Sequence, residues 1–600
     1  MKARLNARAI AVVLALGLTV SVGACSGSPD ASQNPSTGSP SVASTVTPTN
    51  QDTAQPVDIW AKYDPPIEIS TVKYQDDGTQ FYDGDTFENN ALTRGYLDQL
   101  GIKSKVLWSV PTSTYEQRLN TSIASGEIPD VFEVNNVQFA KLLDAGMLED
   151  MTDVYAEYIS PWAKTFTEGD GGLGLKIYTI GGRLMAIPRM DATYDTAPML
   201  WIRTDWLKKL GLSVPKTPEE LVKVAQAFTT QDPDGDGQNN TIGFAFEKAL
   251  FGEFAVLNGF FNSYGAYATS WIKDGSGNLA FGGIQPEMRQ ALSDLAAMYQ
   301  GGDIDKEFSV KDGSKIAELV AGGQLGMFYG QHWNAFWPIP DAKKNNLNAE
   351  WMPYPIPSPD GTNPRPEVKI GVKSAFVVRK GISHPEAVIK LLNFYLREDA
   401  ISPDRTSVAY HQGYAMPDNP LKVDPSKPNP VGWKAATIFM GSPTQNIDIH
   451  NQTVKYLNTK DYTDLPWVKS SYTDNPESAE KVNAYREQVN NSGTFAIDDP
   501  AQIDAVYAAS LWSGTKYSAY QVIADYLTKE EFVYPEFFGA PTPTMTSKQA
   551  TLDKMQLEMI TKIVMGAAPI EEFDKYVADW KALGGDDITR EVNEWATARK

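Results

Sequence analysis

The chain has 600 residues, 42 % of them apolar, and a formal charge of −21 at pH 7. That length is too great for one compact core, so two or more lobes are expected, and the excess negative charge would repel nucleic acid and anionic lipid from the body. The N-terminus reads as an export signal: Lys2, Arg4 and Arg8 precede an uncharged apolar run of 14 residues, Ala9 to Val22. A helix needs roughly 20 apolar residues to cross a bilayer core, so residues 1–24 are expected to be a signal peptide removed on export. No second long apolar segment follows.

The junction Val22-Gly23-Ala24-Cys25 resembles the lipobox of bacterial lipoproteins, in which small residues lead to a cysteine that is diacylated and becomes the new N-terminus. Cys25 is the only cysteine of the chain, and a lone thiol in an oxidising compartment is a liability. Lipidation of Cys25 by palmitate-type chains, and anchoring to the outer face of the cell membrane, are therefore expected. Residues 26–56 are rich in Ser, Thr, Pro and Gly and lack Lys and Arg, so 25–56 is read as a lipidated cysteine followed by a disordered tether. As a flexible coil it would span roughly 30 Å.

From residue 57 the pattern alternates between strand and helix. Ile67 to Val72 alternates as a first strand, a helical stretch runs around Leu92 to Leu100, and Lys105 to Trp108 is a second strand. Tyr115 to Ala124 carries helical spacing, Ser125-Gly126 breaks it, and Pro129 to Val134 runs into a sheet. Thr217-Pro218-Glu219-Glu220 is a capping box opening the helix Leu221 to Phe228, and Ser383-His384-Pro385-Glu386 repeats that grammar before Ala387 to Leu396. Leu184 to Ile187, Gln324 to Tyr329 and Ala375 to Val378 read as strands, the last two buried. The final eighty or so residues are mainly helical, and the alternation favours an α/β class.

Several stretches resemble one family, the extracellular solute-binding proteins of the sugar-transporter type, in the long lipoprotein branch of Gram-positive bacteria. They are LNTSIASGEIPD at 119–130, LWIRTDWL at 200–207, GMFYG at 326–330, SHPEA at 383–387, MGAAPI at 565–570 and GGDDIT at 584–589. The resemblance implies a periplasmic-binding-protein-like type II fold: two α/β lobes joined by crossing strands, closing as a hinge over a solute in the cleft. By analogy with shorter relatives the chain would leave the first lobe near Arg189, return near Gly371 and cross again near residue 440. Lobe one is then 57–188 with 371–440, and lobe two 189–370 with 441–600. It also implies a monomer that delivers its solute to the permease subunits of an ABC importer.

Asp232-Pro233-Asp234-Gly235-Asp236-Gly237-Gln238-Asn239-Asn240 places side-chain oxygens at positions 1, 3, 5 and 9, a backbone carbonyl at Gln238, and glycine at the sixth position. Hard oxygen donors in a tight loop suit Ca²⁺. An EF-hand needs a bidentate Glu at position 12, where this chain has Gly243, and a strand-like segment from Ile242 replaces the exit helix. The family resemblance extends to alginate-binding proteins with such a loop, whose ligands end near Asn240 and Thr241. The expected ion is structural, held by Asp232, Asp234, Asp236, Gln238, Asn240 and Thr241; the bland alternative is a solvated Asp/Gly turn.

Sugars offer apolar C–H faces and a ring of hydroxyls, so their sites combine flat aromatic platforms with carboxylates and amides. Most of the 14 Trp and 27 Tyr must be core. The run Tyr329 to Trp337 differs, because it follows a buried strand and sets amides between aromatics; in related sugar binders a Trp just after this strand stacks on the ligand. Trp333 and Trp337 are the candidate platforms. Arg189, Asp191 and Tyr194 follow the strand 184–187 at a lobe crossing, where relatives place a carboxylate on sugar hydroxyls. Asn135 and Asn136 occupy the loop after the 129–134 strand, which would serve the opposite lobe.

The rival readings are a secreted calcium-dependent glycan-active enzyme and a sugar receptor or adhesin on the same scaffold. Only four histidines exist (His332, His384, His411, His450), and no zinc-protease helix motif, nucleophile elbow or Walker loop occurs. A non-enzymatic binding protein for a carbohydrate or oligosaccharide is the expectation.

Overall fold

The structure is a computed structural model that describes residues 57–75, 81, 85–396, 435–465, 468–469, 471 and 475–599. The signal segment, Cys25, the tether and His411 lie outside the described residues.

In chain order the strands are β1 (Ile67–Gln75), β2 (Ile102–Pro111), β3 (Val131–Val134), β4 (Thr179–Ile180), β5 (Arg183–Leu184), β6 (Ile187–Met190) and β7 (Met199–Arg203). They continue with β8 (Ile242–Phe244), β9 (Trp271–Lys273), β10 (Leu279–Phe281), β11 (Leu325–Gly330), β12 (Trp351–Tyr354) and β13 (Val372–Val378). β1 and β2 pair in parallel, Ile67 opposite Ile102. The helix between them ends at Gly101, whose φ of +66° and closeness to the Tyr63 carbonyl leave no space for a Cβ.

β3 and β6 flank β13, both antiparallel to it, so residues late in the chain complete a sheet begun early. A second sheet has the order β12-β7-β11-β8. Strand periodicity explains its two covered faces. On β7, Leu200 and Ile202 enter one apolar cluster, with Trp206, Phe228, Phe244, Leu292 and Ile560, while Met199 and Trp201 enter another with Phe328, Trp351, Tyr507 and Leu511. β13 divides alike: Phe376 and Val378 face Leu392, and Ala375 and Val377 face Leu119 and Phe132. Each sheet is thus a layer between helices.

The four clusters fall into two groups. One draws its buried members from 69–190 and 375–440, the other from 194–368 and 447–592. Three stretches connect them and are bonded to one another: Asp191 N donates to Gly371 O (2.7 Å), Gly441 N to Met190 O (2.8 Å) and Thr193 N to Pro443 O (3.1 Å).

Local signals act with some changes of partner. Thr217 caps the helix Pro218–Thr230 by accepting from Glu220 N at 3.3 Å. The Glu220 carboxylate, however, reaches Lys216 N (2.7 Å), one residue earlier than a reciprocal capping box requires. At the second such motif, Glu386 accepts from Tyr63 OH at 2.7 Å and lies 3.2 Å from His384 Nδ1, so it ties the helix Glu386–Leu396 to the start of the body. The C-terminal helices are Pro543–Val564, Glu572–Trp580 and Asp586–Ala598. Among the described residues no helix is long and apolar enough to cross a membrane.

Candidate functional site

β11 is buried along its whole length and ends at Gly330, where the chain turns into a short 3₁₀ helix, His332–Ala335. Asn334, fully buried, staples this turn: its Oδ1 accepts from Gln331 N (2.9 Å) and its Nδ2 donates to Trp337 O (3.1 Å). A Cβ at position 330 would strike that amide, so the close approach requires glycine. Trp333 Nε1 donates to Gln331 Oε1 at 3.1 Å, and Trp201 Nε1 donates to Gln331 O at 3.2 Å. The indoles of Trp333 and Trp337 stack on each other, and Phe254 packs against both. Trp337 is 38 % exposed, whereas Trp333 is partly buried against the core.

Beside this aromatic group lies a hollow of about 500 Å³, open solvent at its mouth included, lined by Thr196, Glu253, Asn258, Gln331, Glu367 and Lys369 among others. Gln331 and Glu253 join it to the aromatics, since they neighbour Trp333 and Phe254 in the chain. The crossings supply Thr196, Glu367 and Lys369, and Lys369 N donates to Thr196 Oγ1 at 3.1 Å, which ties two crossing segments together. Ser270 Oγ donates to Glu367, whose N–H donates to Asn262 Oδ1 at 2.9 Å. Burial raises the Glu367 carboxyl above the usual carboxylate range, against the Ser270 bond and the Lys369 charge that act to lower it. Carboxylates, amides and hydroxyls converging beside flat indoles can bind a polyhydroxylated ring, through hydrogen bonds at its edge and stacking on its face.

The remaining sequence candidates lie elsewhere. Arg189 stands inside β6 rather than after a strand at 184–187; it bonds Glu133 Oε1 at 2.9 Å and lies 4.8 Å from the Phe439 ring centroid. Glu133 also accepts from Ser374 Oγ, and Lys73 is buried nearby with its amine held down to about 7 by burial and bonded to Ala436 O. Asp191 is exposed and 3.5 Å from Lys373 Nζ. Tyr194 is 3 % exposed and stacks on Phe532 with ring centroids 5.1 Å apart. Asn135 caps the helix Asn136–Asp144 by accepting from Gln138 N at 2.9 Å. Asn136 accepts from Tyr178 OH (2.8 Å) and donates to Phe538 O (3.2 Å), joining the first group of cores to the C-terminal region. None of these five candidates is among the residues given above for the hollow. Glu253, Phe254, Asn258 and Glu367 were not singled out from sequence; Gln331 stood within the quoted run, but no local pattern marks the others.

In the acidic loop the carboxylates of Asp232, Asp234 and Asp236 have oxygens within 4.8 Å of one another. Asp232 accepts from Gly235 N (3.0 Å) and Gly237 N (3.3 Å), and Asp236 from Gln238 N (2.7 Å) and Asn240 Nδ2 (2.9 Å). Gly235 and Gly237 both have positive φ, +81° and +76°, which makes this curl possible. Asp234 is held above the ordinary carboxylate range, by partial burial and then by its bond to Asp232. Asn240 Oδ1 is buried without a hydrogen-bond partner among the described residues. Thr241 is 5 % exposed, and its hydroxyl donates to Phe228 O at 2.7 Å. Three crowded carboxylates and an unsatisfied amide oxygen are a donor set suited to a hard cation.

The chain as a whole is similar to known proteins. The family model described as bacterial extracellular solute-binding protein matches residues 83–401. YtcQ of Bacillus subtilis (strain 168), a polygalacturonan/rhamnogalacturonan-binding protein, is 28 % identical over 303 residues, 49 % of this chain and 56 % of YtcQ. The match therefore spans little more than half of that relative's length. Lipoprotein LipO of the same organism is 22 % identical over 506 residues, 82 % of this chain and 86 % of LipO. An HMO-binding, ABC-transporter-associated solute-binding protein from Bifidobacterium longum infantis superposes with a TM-score of 0.53 at 17 % identity, covering 89 % of this chain and 99 % of that one. The shared fold is the mixed α/β, type II binding-protein fold that the sequence resemblance implied. The chain belongs to the family of bacterial extracellular solute-binding proteins.

Proposed function

We propose that this protein captures a neutral oligosaccharide for an ABC importer, anchored outside the membrane through Cys25, and that it acts as a monomer without chemical turnover. The moving bodies are 57–188 with 371–440 and 189–370 with 441–600, closing about the three bonded crossings. The observation that carries the reading is the Trp333–Trp337 pair standing beside a polar hollow built on those crossings. Relatives and structural neighbours named for glycan binding support the glycan part of this reading, though not its neutral charge.

Charge favours a neutral ligand. Glu253 and Glu367 line the hollow against one cation, Lys369, on a chain of formal charge −21. A uronate carboxylate brought to 4 Å from the exposed Glu253 is opposed by about 1 kcal/mol at the dielectric of water and about 4 kcal/mol at an effective dielectric of 20, part of which Lys369 offsets. The polygalacturonan ligand named for YtcQ is therefore not carried over. Calorimetric titration with kestose and maltotriose against trigalacturonate tests this: neutral trisaccharides are expected to bind, and exclusive binding of trigalacturonate refutes the reading.

The acidic loop we assign to a structural Ca²⁺, held by Asp232, Asp234, Asp236, the Gln238 carbonyl and Asn240. Thr241 fits least well, since its hydroxyl is already committed to the Phe228 carbonyl. Bound there, the ion would neutralise the crowded carboxylates and stiffen the turn between the helix Pro218–Thr230 and β8.

A further inference from the structure

Asp195 follows the first crossing, and its carboxylate collects donors from three distant segments. Oδ1 accepts from Tyr520 OH at 2.6 Å, and Oδ2 accepts from Asn446 Nδ2 at 2.7 Å and faces His332 Nε2 at 3.6 Å. Asn446 opens the helix Gln445–Thr459 just beyond the third crossing, and Tyr520 lies on the helix Ala519–Thr528. His332 sits between Gln331, which lines the hollow, and Trp333. Its Nδ1 accepts from Trp512 Nε1 at 2.9 Å. An indole N–H can only donate, so Nδ1 carries the lone pair and the ring proton resides on Nε2, towards Asp195.

All three groups around Asp195 are therefore donors, and only an acceptor-only side chain satisfies them together. Asp195 is 24 % exposed and His332 14 %, while Tyr520 is fully buried, so water competes little with the two bonds and the His332 contact. The carboxylate thus joins the end of the first crossing to the helix after the third crossing and to the aromatic loop.

We propose that Asp195 is the positioning residue of the binding loop: it fastens residues 331–337 to the ends of the first and third crossings, so the hinge sets the position of the Trp333–Trp337 pair. The link to ligand binding rests on the carbohydrate reading above, whereas the fastening itself does not.

Hydrogen exchange on the full mature chain without ligand tests the fastening. Asp195→Asn turns a donor towards a donor and is expected to speed exchange in 331–337 about tenfold, as the carboxylate's attraction for the His332 Nε2–H gives way to an N–H facing an N–H, with 218–230 unchanged. Adding Asn446→Asp in the same chain restores a donor–acceptor pair between 195 and 446 but leaves His332 facing an amide N–H, so protection should return at the start of the 445–459 helix and not in 331–337; a structural lesion would not be repaired at one partner alone. If Asp195→Asn does not fold, Tyr520→Phe removes one donor and adds none, and should loosen the same segment by a smaller factor. Unchanged exchange in 331–337, or equal loosening of 218–230, overturns the proposal. Kestose titration is run in parallel: absence of binding by the parent chain would sink the carbohydrate reading while leaving the exchange result intact.

Discussion

The indole of Trp337 lies 14° from parallel to that of Trp333, with ring centroids 6.1 Å apart. Their supports differ. Trp333 bonds Gln331 and packs against the core, while Trp337 is 38 % exposed and rests on Phe254 at 4.9 Å between centroids. Trp337→Ala is expected to weaken oligosaccharide binding by about 1–2 kcal/mol with the melting temperature nearly unchanged, because an exposed platform leaves no cavity behind. Trp333→Ala should weaken binding by a similar amount and also lower the melting temperature. Calorimetry with thermal melts of both variants checks this; unaltered affinity in both would remove the indoles from the site.

The acidic loop predicts a stability effect that depends on calcium. An ion that binds only the folded state stabilises it by mass action, about 2.7 kcal/mol at 100 times its dissociation constant. Asp234→Ala should lower the melting temperature in millimolar calcium, match the parent in EDTA, and leave oligosaccharide affinity intact. Equal melting of parent and variant under both conditions would contradict a bound ion.

His450 predicts acid sensitivity. It is 1 % exposed; Nδ1 accepts from Gly514 N at 3.0 Å and Nε2 lies 3.2 Å from Gln521 Oε1, the pattern of a neutral ring. Burial lowers its pKa from 6.5 to about 4. Between those values the unfolded chain binds more protons than the folded one, so stability falls as pH drops from 6.5 and the loss is complete below about 4. The shift corresponds to about 3 kcal/mol. His450→Asn keeps an acceptor for Gly514 N but does not titrate, and its unfolding free energy should fall less steeply across this range. Parallel slopes for parent and variant in denaturant titrations would contradict the assignment.

Anchoring predicts a fractionation result. In cells expressing the full chain, Cys25→Ser should release the protein from the membrane fraction and abolish labelling by a fatty-acid probe. Retention of both forms without label would exclude a lipid anchor at Cys25.

Much of the fold was legible because its signals are local. The buried runs at β11 and β13, the Gly126 stop (φ +76°) and the Thr217 cap are set by residues within a few positions of each other. β6 was misplaced because Pro188 lies within it; proline is tolerated there because β6 is the edge of the order β3-β13-β6. Arg189, read as following a strand, is therefore part of one.

The candidate site was less legible because its members are set by distant partners. Tyr194 has the sequence neighbourhood of a crossing residue, yet Phe532, far along the chain, covers its ring. Asn135 and Asn136 read as polar loop residues, and each is instead engaged by helix capping or by contacts to Tyr178 and Phe538. Glu253 and Glu367 carry no motif, and only the meeting of the crossings with the 252–258 turn brings them to one hollow. The aromatic run was visible because strand, amides and indoles are contiguous.

The central claim is that a neutral oligosaccharide binds in the hollow beside Trp333 and Trp337. Its most direct test is calorimetric titration of the mature chain with neutral trisaccharides and with trigalacturonate, repeated on Glu253→Gln, which changes an exposed charge at the mouth without opening the core. The account predicts that a neutral sugar binds the parent, that trigalacturonate does not, and that Glu253→Gln alters the neutral affinity while lessening the discrimination against the acid. Binding of trigalacturonate alone, or sugar binding indifferent to Glu253, Trp333 and Trp337 alike, would contradict it.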